Sequence, residues 1–204
     1  MGCNSSNTHK EKTILFVIGH PGSGQKTQSN LLKSRIENSE VIYVESLIRH
    51  QSQKKGNLKL DQINEEKLVP SDYLIKLLSK ILENIEQNII IIEGFPKHLD
   101  NIIEWKNLIG KKWKIIAIIY LKISEETMKE REKEKIEEMG KFFVENKHKI
   151  FMKETVPLLE KIKNENKINF IEEDGEKEIK EINENIMKQI NKIIEEKKYC
   201  YLVN

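Results

Sequence analysis

The chain has 204 residues, enough for one domain with a sizeable buried core. Its formal net charge is only +2, and its charged residues (33% of the chain) alternate in sign, which argues against a nucleic-acid partner. No apolar run approaches the ~20 residues of a membrane-spanning helix. The two cysteines, Cys3 and Cys200, lie near opposite termini in a lysine-rich chain, and this predicts a reduced, intracellular protein.

The first residues, MGCNSS, fit the pattern for N-myristoylation, with Gly2 exposed after removal of the methionine and Ser6 at the required place. Cys3 stands where a palmitoyl group is often added, and two acyl chains hold a protein stably on a membrane. The alternative is a disordered start that happens to contain Gly and Ser. We expect residues 1–12 to be a lipid-anchored flexible tail at the cytoplasmic face of a membrane.

Short β-branched apolar runs alternate with helical patterns along the rest of the chain. Strands are predicted over 13–19, 40–45, 88–96, 114–124 and 167–174. Helices are predicted over 26–37, 71–85, 99–108, 125–136, 147–163 and 176–196. Ser124 is the expected N-cap of the helix over 125–136. The polar segment 51–70 and the highly charged segment 132–146 are predicted to be irregular.

Alternating strands and helices predict an α/β fold, with a parallel sheet covered by helices on both faces. No internal repeat and no Pro/Gly linker divides the chain. We therefore expect one compact domain over 13–197, followed by a C-terminal tail over 198–204.

The sequence GHPGSGQKTQ joins the first strand to the first helix. Three of the nine glycines, Gly19, Gly22 and Gly24, fall within it. Residues without a Cβ let backbone N–H groups converge on an anion at a helix N-terminus. The context therefore predicts a phosphate-binding loop rather than a simple tight turn.

This loop resembles GGPGSGKGTQ, the phosphate loop of the nucleoside monophosphate kinases, which include the adenylate and UMP-CMP kinases. Further landmarks follow in order. ESLIRH resembles the family's GDLLR, KLVP its LVP, and EGFPKHLDN its DGFPRxxxQ or DGFPRNxxN. ETMKERE resembles the segment that bears a core arginine. KETVP resembles the late (A/S)T(E/K)P segment. All four prolines fall on these landmarks: Pro21, Pro70, Pro96 and Pro157.

The resemblance implies a P-loop NTPase-type sheet with an acceptor-site insert over about 44–70 and a short lid over about 132–146. It implies transfer of the γ-phosphoryl group of Mg·ATP to a nucleoside monophosphate, by a protein expected to be a monomer. The implied ATP-binding residues are Gly19, Gly22, Ser23, Gly24, Gln25, Lys26, Thr27 and Arg131. The implied monophosphate-binding residues are Arg49, Val69, Gly94, Lys97 and Asn101. The implied catalytic residues are Lys26, Glu93 and Arg131, and Thr27 and Glu93 would hold Mg²⁺, mostly through water.

The loop departs from the family at its lysine. Aligned without a gap, Gln25 occupies the lysine position and Lys26 a glycine position. Shifting the register to make Lys26 the phosphate-binding lysine would place Gln25 and His20 where glycines are expected, so we prefer the ungapped alignment. Successive helical residues point ~100° apart, so Lys26 is misdirected for a simple replacement.

Other positions depart as well. Glu93 replaces the aspartate that organises Mg²⁺, and Lys97 replaces an arginine, which keeps the charge but loses the bidentate fork. The candidates for lid arginines are Lys135, Lys141 and Lys147, with plain surface charge as the alternative for Lys141 and Lys147.

The acceptor base is indicated by a single stretch. Asn101, with Asp100 and Trp105, follows the UMP-CMP pattern more closely than the adenylate kinase pattern. This slightly favours a pyrimidine monophosphate as the acceptor. The alternative is that Asn101 is simply an exposed polar residue.

Two functions follow from these residues. The first is a membrane-tethered nucleoside monophosphate kinase with slowed chemistry, favoured by the retained glycines, Arg49, Glu93 and Arg131. The second is a catalytically impaired relative that binds nucleotide or another protein, favoured by Gln25 and the altered lid.

Overall fold

The computed structural model describes residues 12–55 and 69–202 and contains a five-stranded parallel sheet with the strand order β2-β3-β1-β4-β5. The strands are β1 (Thr13–Gly19), β2 (Ser39–Tyr43), β3 (Ile89–Glu93), β4 (Lys114–Lys122) and β5 (Asn169–Asp174). Each strand begins and ends within three residues of its predicted bounds. The predicted α/β fold with a parallel sheet is confirmed.

The strands are apolar on both faces because helices cover both sides of the sheet. Side chains alternate along β1, so Phe16 packs into one apolar cluster and Val17 into the other. The first cluster includes Trp105 from the helix after β3, whereas the second includes Ile186 from the C-terminal helix. These two layers fix the sheet and hence the loops at its carboxyl edge.

Nine α-helices occupy the described ranges 12–55 and 69–202. They are α1 (Gln25–Arg35), α2 (Val44–Lys55), α3 (Ser71–Asn84), α4 (Leu99–Leu108), α5 (Glu125–Arg131), α6 (Lys133–Met139), α7 (Lys141–Ile150), α8 (Val156–Glu165) and α9 (Ile179–Leu202). A π-helical turn, Phe151–Thr155, joins α7 to α8. Helices are found over most of the predicted ranges. The predicted helix over 147–163 consists of the end of α7, the π-helical turn and α8. Helix α9 begins three residues later than predicted and continues to Leu202, into the segment predicted as a tail.

The prediction of an irregular segment over 132–146 is wrong. Helices α6 and α7 fill it, and they meet at Gly140, whose φ of 89° breaks the helical path. The predicted helix over 125–136 is accordingly two helices that divide at Glu132. Lysine and glutamate are good helix formers, so a charged segment of this composition need not be a loop.

Some predictions concern residues outside the described ranges: Gly2 and Cys3, most of the tail over 1–12, and residues 56–68 of the acceptor-site insert. The described part of that insert is helical up to Lys55. Within the described residues, no helix is both long and apolar enough to cross a membrane.

Candidate active site

The site lies where three neighbouring strands end. In register, Tyr43 at the end of β2 is beside Glu93 at the end of β3, and Glu93 is also paired with Val17 of β1, two residues before Gly19. Because the strands are parallel, their carboxyl ends meet at one edge. Ligands of open α/β sheets bind at this edge.

The phosphate loop has the backbone geometry that its glycines predict. Gly22 and Gly24 have φ values of 76° and 86°, a region that favours glycine. Helix α1 begins at Gln25, and its first intrahelical bond is donated by Gln28 N–H to the Gly24 carbonyl at 2.9 Å. The earlier N–H groups of the first turn have no intrahelical acceptor, so this helix end can receive an anion.

Close packing at the base of the loop explains Gly19. A Cβ there would lie 2.3 Å from Ser23 Oγ and 2.5 Å from the Leu121 carbonyl oxygen. At Gly24, in contrast, a Cβ would have no heavy atom within 4 Å. The loop is therefore packed against β4 at Gly19 and open at Gly24, where a phosphate group can approach the backbone.

Gln25, in the family's lysine position, bonds to the loop itself. Its Nε2 donates to the Gly19 carbonyl at 3.0 Å and the His20 carbonyl at 3.3 Å. Lys26 is exposed, and its Nζ lies 5.6 Å from the centre of the Tyr43 ring. The two side chains thus diverge, and the predicted contact of Lys26 with phosphate stays a prediction.

Arg131 reaches the loop from the C-terminal end of α5. Its Nη1 donates to the Gly175 carbonyl at 2.8 Å and to the Gly22 carbonyl at 3.3 Å. The helix that carries it starts at the predicted N-cap, where Ser124 Oγ accepts the Thr127 N–H at 3.2 Å. The structure therefore brings the predicted catalytic arginine to the phosphate loop.

A cluster of opposite charges, named here the acceptor cluster, consists of Glu45, Arg49, Lys97 and Lys147. Glu45 Oε1 lies 2.8 Å from Lys147 Nζ and 3.6 Å from Arg49 Nη2. Lys147 comes from α7, 102 residues away from Glu45 in sequence. Of the three candidate lid lysines, Lys147 therefore faces the other predicted phosphate-binding residues.

The two other candidates differ. Lys141 is 74% exposed and pairs with Glu145 on its own helix at 3.6 Å, in agreement with the surface-charge alternative. The side chain of Lys135 lies outside the described part of the structure.

The charged groups of the acceptor cluster shift one another's pKa values. Burial disfavours the ionised form of Glu45, but Lys147, Lys97 and Arg49 together leave its pKa below the ordinary value. Burial lowers the pKa of Lys97, with Lys147 acting in the same direction and Glu45 and Glu93 opposing it. A cation beside Glu93 and Glu45 is thus partly stripped of water, which strengthens its interaction with an anion.

Asn101 is part of the fold of this edge. It is 1% exposed, its Oδ1 accepts the Lys97 N–H at 2.9 Å, and its Nδ2 donates to Ser71 Oγ at 3.0 Å. The alternative of an exposed polar residue is therefore wrong. Trp105 packs in the core against Phe16, with ring centroids 5.1 Å apart.

Two further residues were predicted to bind the monophosphate, Val69 and Gly94. Val69, just before α3, packs against the first apolar cluster. Gly94 follows β3 with a φ of 79°, and its N–H donates to the Val17 carbonyl at 2.9 Å. Contact of either residue with a monophosphate stays a prediction.

The sequence did not single out His20 beyond its place in the loop. Its ring is 4% exposed and lies 4.6 Å from the Phe151 ring and 5.8 Å from the His148 ring, measured between centroids. Burial lowers the pKa of His20 to about 4, helped by His148 and Lys122. No local sequence signal reveals this contact, because Phe151 and His148 are distant in sequence.

Mg²⁺ would find hard oxygen ligands here. The Thr27 hydroxyl is exposed in the first turn of α1, and the Glu93 carboxylate ends β3. The described residues contain no group of three His, Cys, Asp or Glu side chains suited to a metal ion. Beside nucleotide phosphates Mg²⁺ is bound mostly through water, and the predicted role of Thr27 and Glu93 stays a prediction.

A glycine-rich loop at a helix N-terminus, a bridging arginine and a cluster of cations at one sheet edge define a phosphate-binding α/β protein of the P-loop class. A family model described as adenylate kinase matches residues 17–198, and the chain belongs to that family. The predicted membership of the nucleoside monophosphate kinases, a class of phosphotransferases, is thereby confirmed.

Individual relatives come from both branches of this family. The chain is 29% identical to "UMP-CMP kinase 3" of Oryza sativa subsp. japonica, over 87% of this chain and 85% of the relative. It is also 29% identical to "Adenylate kinase" of Buchnera aphidicola, over 87% of this chain and 96% of the relative. "UMP-CMP kinase 3" of Arabidopsis thaliana is 26% identical, over 76% and 78%.

Proposed function

We propose that the protein transfers the γ-phosphoryl group of Mg·ATP to a nucleoside monophosphate. The main support is a cluster of cations at the sheet edge that also bears the phosphate loop. There the carboxylate of Glu45 interacts with Arg49, Lys97 and Lys147. Cations brought together from two helices and a loop are what an acceptor phosphate needs.

The residues divide into a donor and an acceptor side. The amides of the first turn of α1 hold the donor phosphates, and Arg131 stabilises charge on the group in transfer. An acceptor phosphate oxygen attacks the γ-phosphorus, the bond to the β–γ bridging oxygen breaks, and ADP leaves. Because the attacking oxygen is already anionic, positioning and charge supply the catalysis and no general base is required.

The acceptor is proposed to be UMP or CMP in preference to AMP. The support is the sequence around Asn101, which follows the UMP-CMP pattern, together with relatives named UMP-CMP kinase. The adenylate kinase relatives support AMP as the other acceptor.

A second candidate function is nucleotide binding with little or no phosphoryl transfer. The observation that favours it is Gln25, whose amide bonds to the loop carbonyls and brings no charge to the donor phosphates. Under this alternative ATP binds the loop amides, but turnover with any monophosphate stays at the level without enzyme.

A coupled assay of ADP formation separates the two functions. Purified protein with Mg·ATP should turn over with UMP or CMP, more slowly with AMP, and least with GMP. Arg131→Ala should reduce turnover, and the loss of its bonds to the Gly22 and Gly175 carbonyls should lower the melting temperature by only a few degrees. Binding of ATP by calorimetry with no turnover on any of the four acceptors would favour the second function.

The protein is also proposed to be held at the cytoplasmic face of a membrane through acyl chains on Gly2 and Cys3. The support is the N-terminal sequence MGCNSS. In cells able to acylate it, the full-length protein should sediment with membranes.

The Gly2→Ala variant cannot accept a myristoyl chain, so it should move to the soluble fraction, and Ser5→Ala is the matched control. Membrane association that survives Gly2→Ala would contradict the lipid anchor.

A further inference from the structure

The acceptor cluster contains a carboxylate at its centre, where a substrate phosphate would also bind. Glu45 Oε1 lies 2.8 Å from the Lys147 ammonium and 3.6 Å from Arg49 Nη2. The side chains of Glu45, Arg49 and Lys147 are 51%, 55% and 39% exposed. All three side chains are therefore reachable from solvent, and Lys147 and Arg49 can exchange Glu45 for a ligand.

The contact joins parts of the site that a substrate would also have to join. Glu45 and Arg49 lie one turn apart on α2, whereas Lys147 belongs to α7 of the lid region. Lys97, which follows β3, acts on Glu45 through its charge. The carboxylate of Glu45 thus interacts with cations from two helices and a loop.

Carboxylate and phosphate oxygens accept the same charge-assisted hydrogen bonds from lysine and arginine. A phosphomonoester dianion that enters the cluster must therefore share or take over the donors of Glu45, and two anions at this distance repel each other. Glu45 and a bound phosphate therefore compete for the same cations.

We propose that Glu45 is an internal competitor for the acceptor phosphate, which holds Lys147 and Arg49 until the phosphate displaces it. The inference rests on the proposed function only in taking a phosphomonoester as the ligand. It makes Glu45 a determinant of acceptor affinity, and no covalent step is involved.

The direct test is the Glu45→Gln variant, which keeps the size of the side chain and removes its charge. The dissociation constants of inorganic phosphate, CMP and AMP should each fall roughly three- to tenfold, as expected for one charge in a half-exposed cluster. The dissociation constant of ATP in the absence of acceptor should change less than twofold, because ATP binds at the phosphate loop.

Glu165→Gln is the matched control. Glu165 ends α8 and lies 3.3 Å from Lys167, just before β5 begins and therefore at the opposite edge of the sheet. It removes the same charge from an exposed pair and should leave all four dissociation constants unchanged. Glu45→Asp keeps the charge with a shorter reach and should give values between those of the wild type and Glu45→Gln.

Titration calorimetry at constant ionic strength, with thermal melting to verify folding, gives the binding data, and the coupled assay gives turnover separately. Tighter phosphate and CMP binding supports the role of Glu45, whether or not turnover occurs. Tighter binding without turnover in any variant supports Glu45 and counts against the proposed kinase activity.

Three other results are also decisive. Tighter binding of inorganic phosphate but of neither nucleotide supports Glu45 and contradicts the assigned acceptor. Tighter binding of the nucleotides alone places the effect at base or ribose and overturns the inference. Unchanged or weaker binding of all three ligands, including no binding at all, overturns it too.

Discussion

Gln25 closes the phosphate loop with hydrogen bonds where the family uses a charge. Its amide donates to two carbonyls of the loop, at 3.0 and 3.3 Å, so the side chain points across the loop rather than into solvent. A lysine at this position would carry its charge to the same region and on to the donor phosphates. The cation of Lys26 lies over Tyr43 instead.

The double change Gln25→Lys with Lys26→Gly should therefore raise the rate. A cation directed at the transferring phosphate stabilises the transition state more than the ground state, so kcat should rise more than KM falls. Single contacts of this kind are typically worth about 10²–10³ in kcat. The coupled assay on UMP, CMP, AMP and GMP measures the gain.

Lys26→Gly alone is the control for that pair of changes, because it removes a cation and leaves Gln25 in place. It should not exceed the wild-type rate. A double variant no faster than wild type on any of the four monophosphates would show that the lysine does not limit this protein, and would point to the lid.

Local motifs identified the residues that act through backbone geometry, but not those that act through distant contacts. Gly22 and Gly24 were predictable, because a strand, a glycine-rich loop and a helix specify where positive φ is needed. The role of Lys147 was left open, because its contact with Glu45 spans 102 residues. The burial of Asn101 likewise depends on Ser71, which belongs to another helix.

Among the elements, α5 has a simple task, which is to present Arg131 to the loop. Its first turn is capped by Ser124 Oγ, which accepts the Thr127 N–H, and the backbone N–H of Ser124 donates to Glu176 Oε1 at 2.6 Å. The helix is only seven residues long, so its stability depends on this cap and on packing of the buried Met128.

Ser124→Ala should lower the free energy of unfolding by about 1 kcal/mol, the usual cost of losing an N-cap. For a domain of this size the melting temperature should fall by roughly 2–4 °C. Ser79→Ala, in the middle of α3, is the control. Surface changes are usually within about ±0.5 kcal/mol, so it should change the melting temperature by at most about 1–2 °C. Equal effects of the two substitutions would contradict the capping role.

Strands and helices with a strong hydrophobic pattern were predicted well, and those with a weak pattern were not. The strands are continuous apolar runs that must be buried on both faces, and their positions followed from this requirement. Only the start of α6 and the end of α7 were predicted to be helical, because lysine and glutamate dominate their sequence and the apolar period is weak. Gly140 suggested a loop, although it serves as the junction between two helices.

In the whole molecule, the phosphate loop is tied to the lid region through His20. Its ring packs between Tyr120 of β4, His148 of α7 and Phe151 of the π-helical turn. Residues from three parts of the chain thus hold one loop, and only the complete fold brings them together. The alternation of strands and helices predicts the sheet, but it carries no information about such a contact.

The burial of His20 should make the stability of the whole protein sensitive to pH. Its pKa is about 4 in the folded protein and about 6.5 in the unfolded chain, so the unfolded state binds more protons between these values. The free energy of unfolding should therefore be highest above pH 6.5 and fall as the pH decreases through 6.5 towards 4. Between pH 7.5 and 5 this residue should cost the folded state about 1–2 kcal/mol.

Urea unfolding of the wild type and of His20→Gln at several pH values between 7.5 and 5 tests this linkage. The glutamine variant cannot take up the proton, so its stability should fall less over this range, whatever its stability at pH 7.5. Carboxylates also titrate towards the acid end, but they contribute to both proteins and cancel in the difference. His50→Gln, which changes an exposed histidine, should keep the wild-type dependence. If His20→Gln and the wild type lose stability in parallel, the imidazole of His20 is not the group that responds to acid.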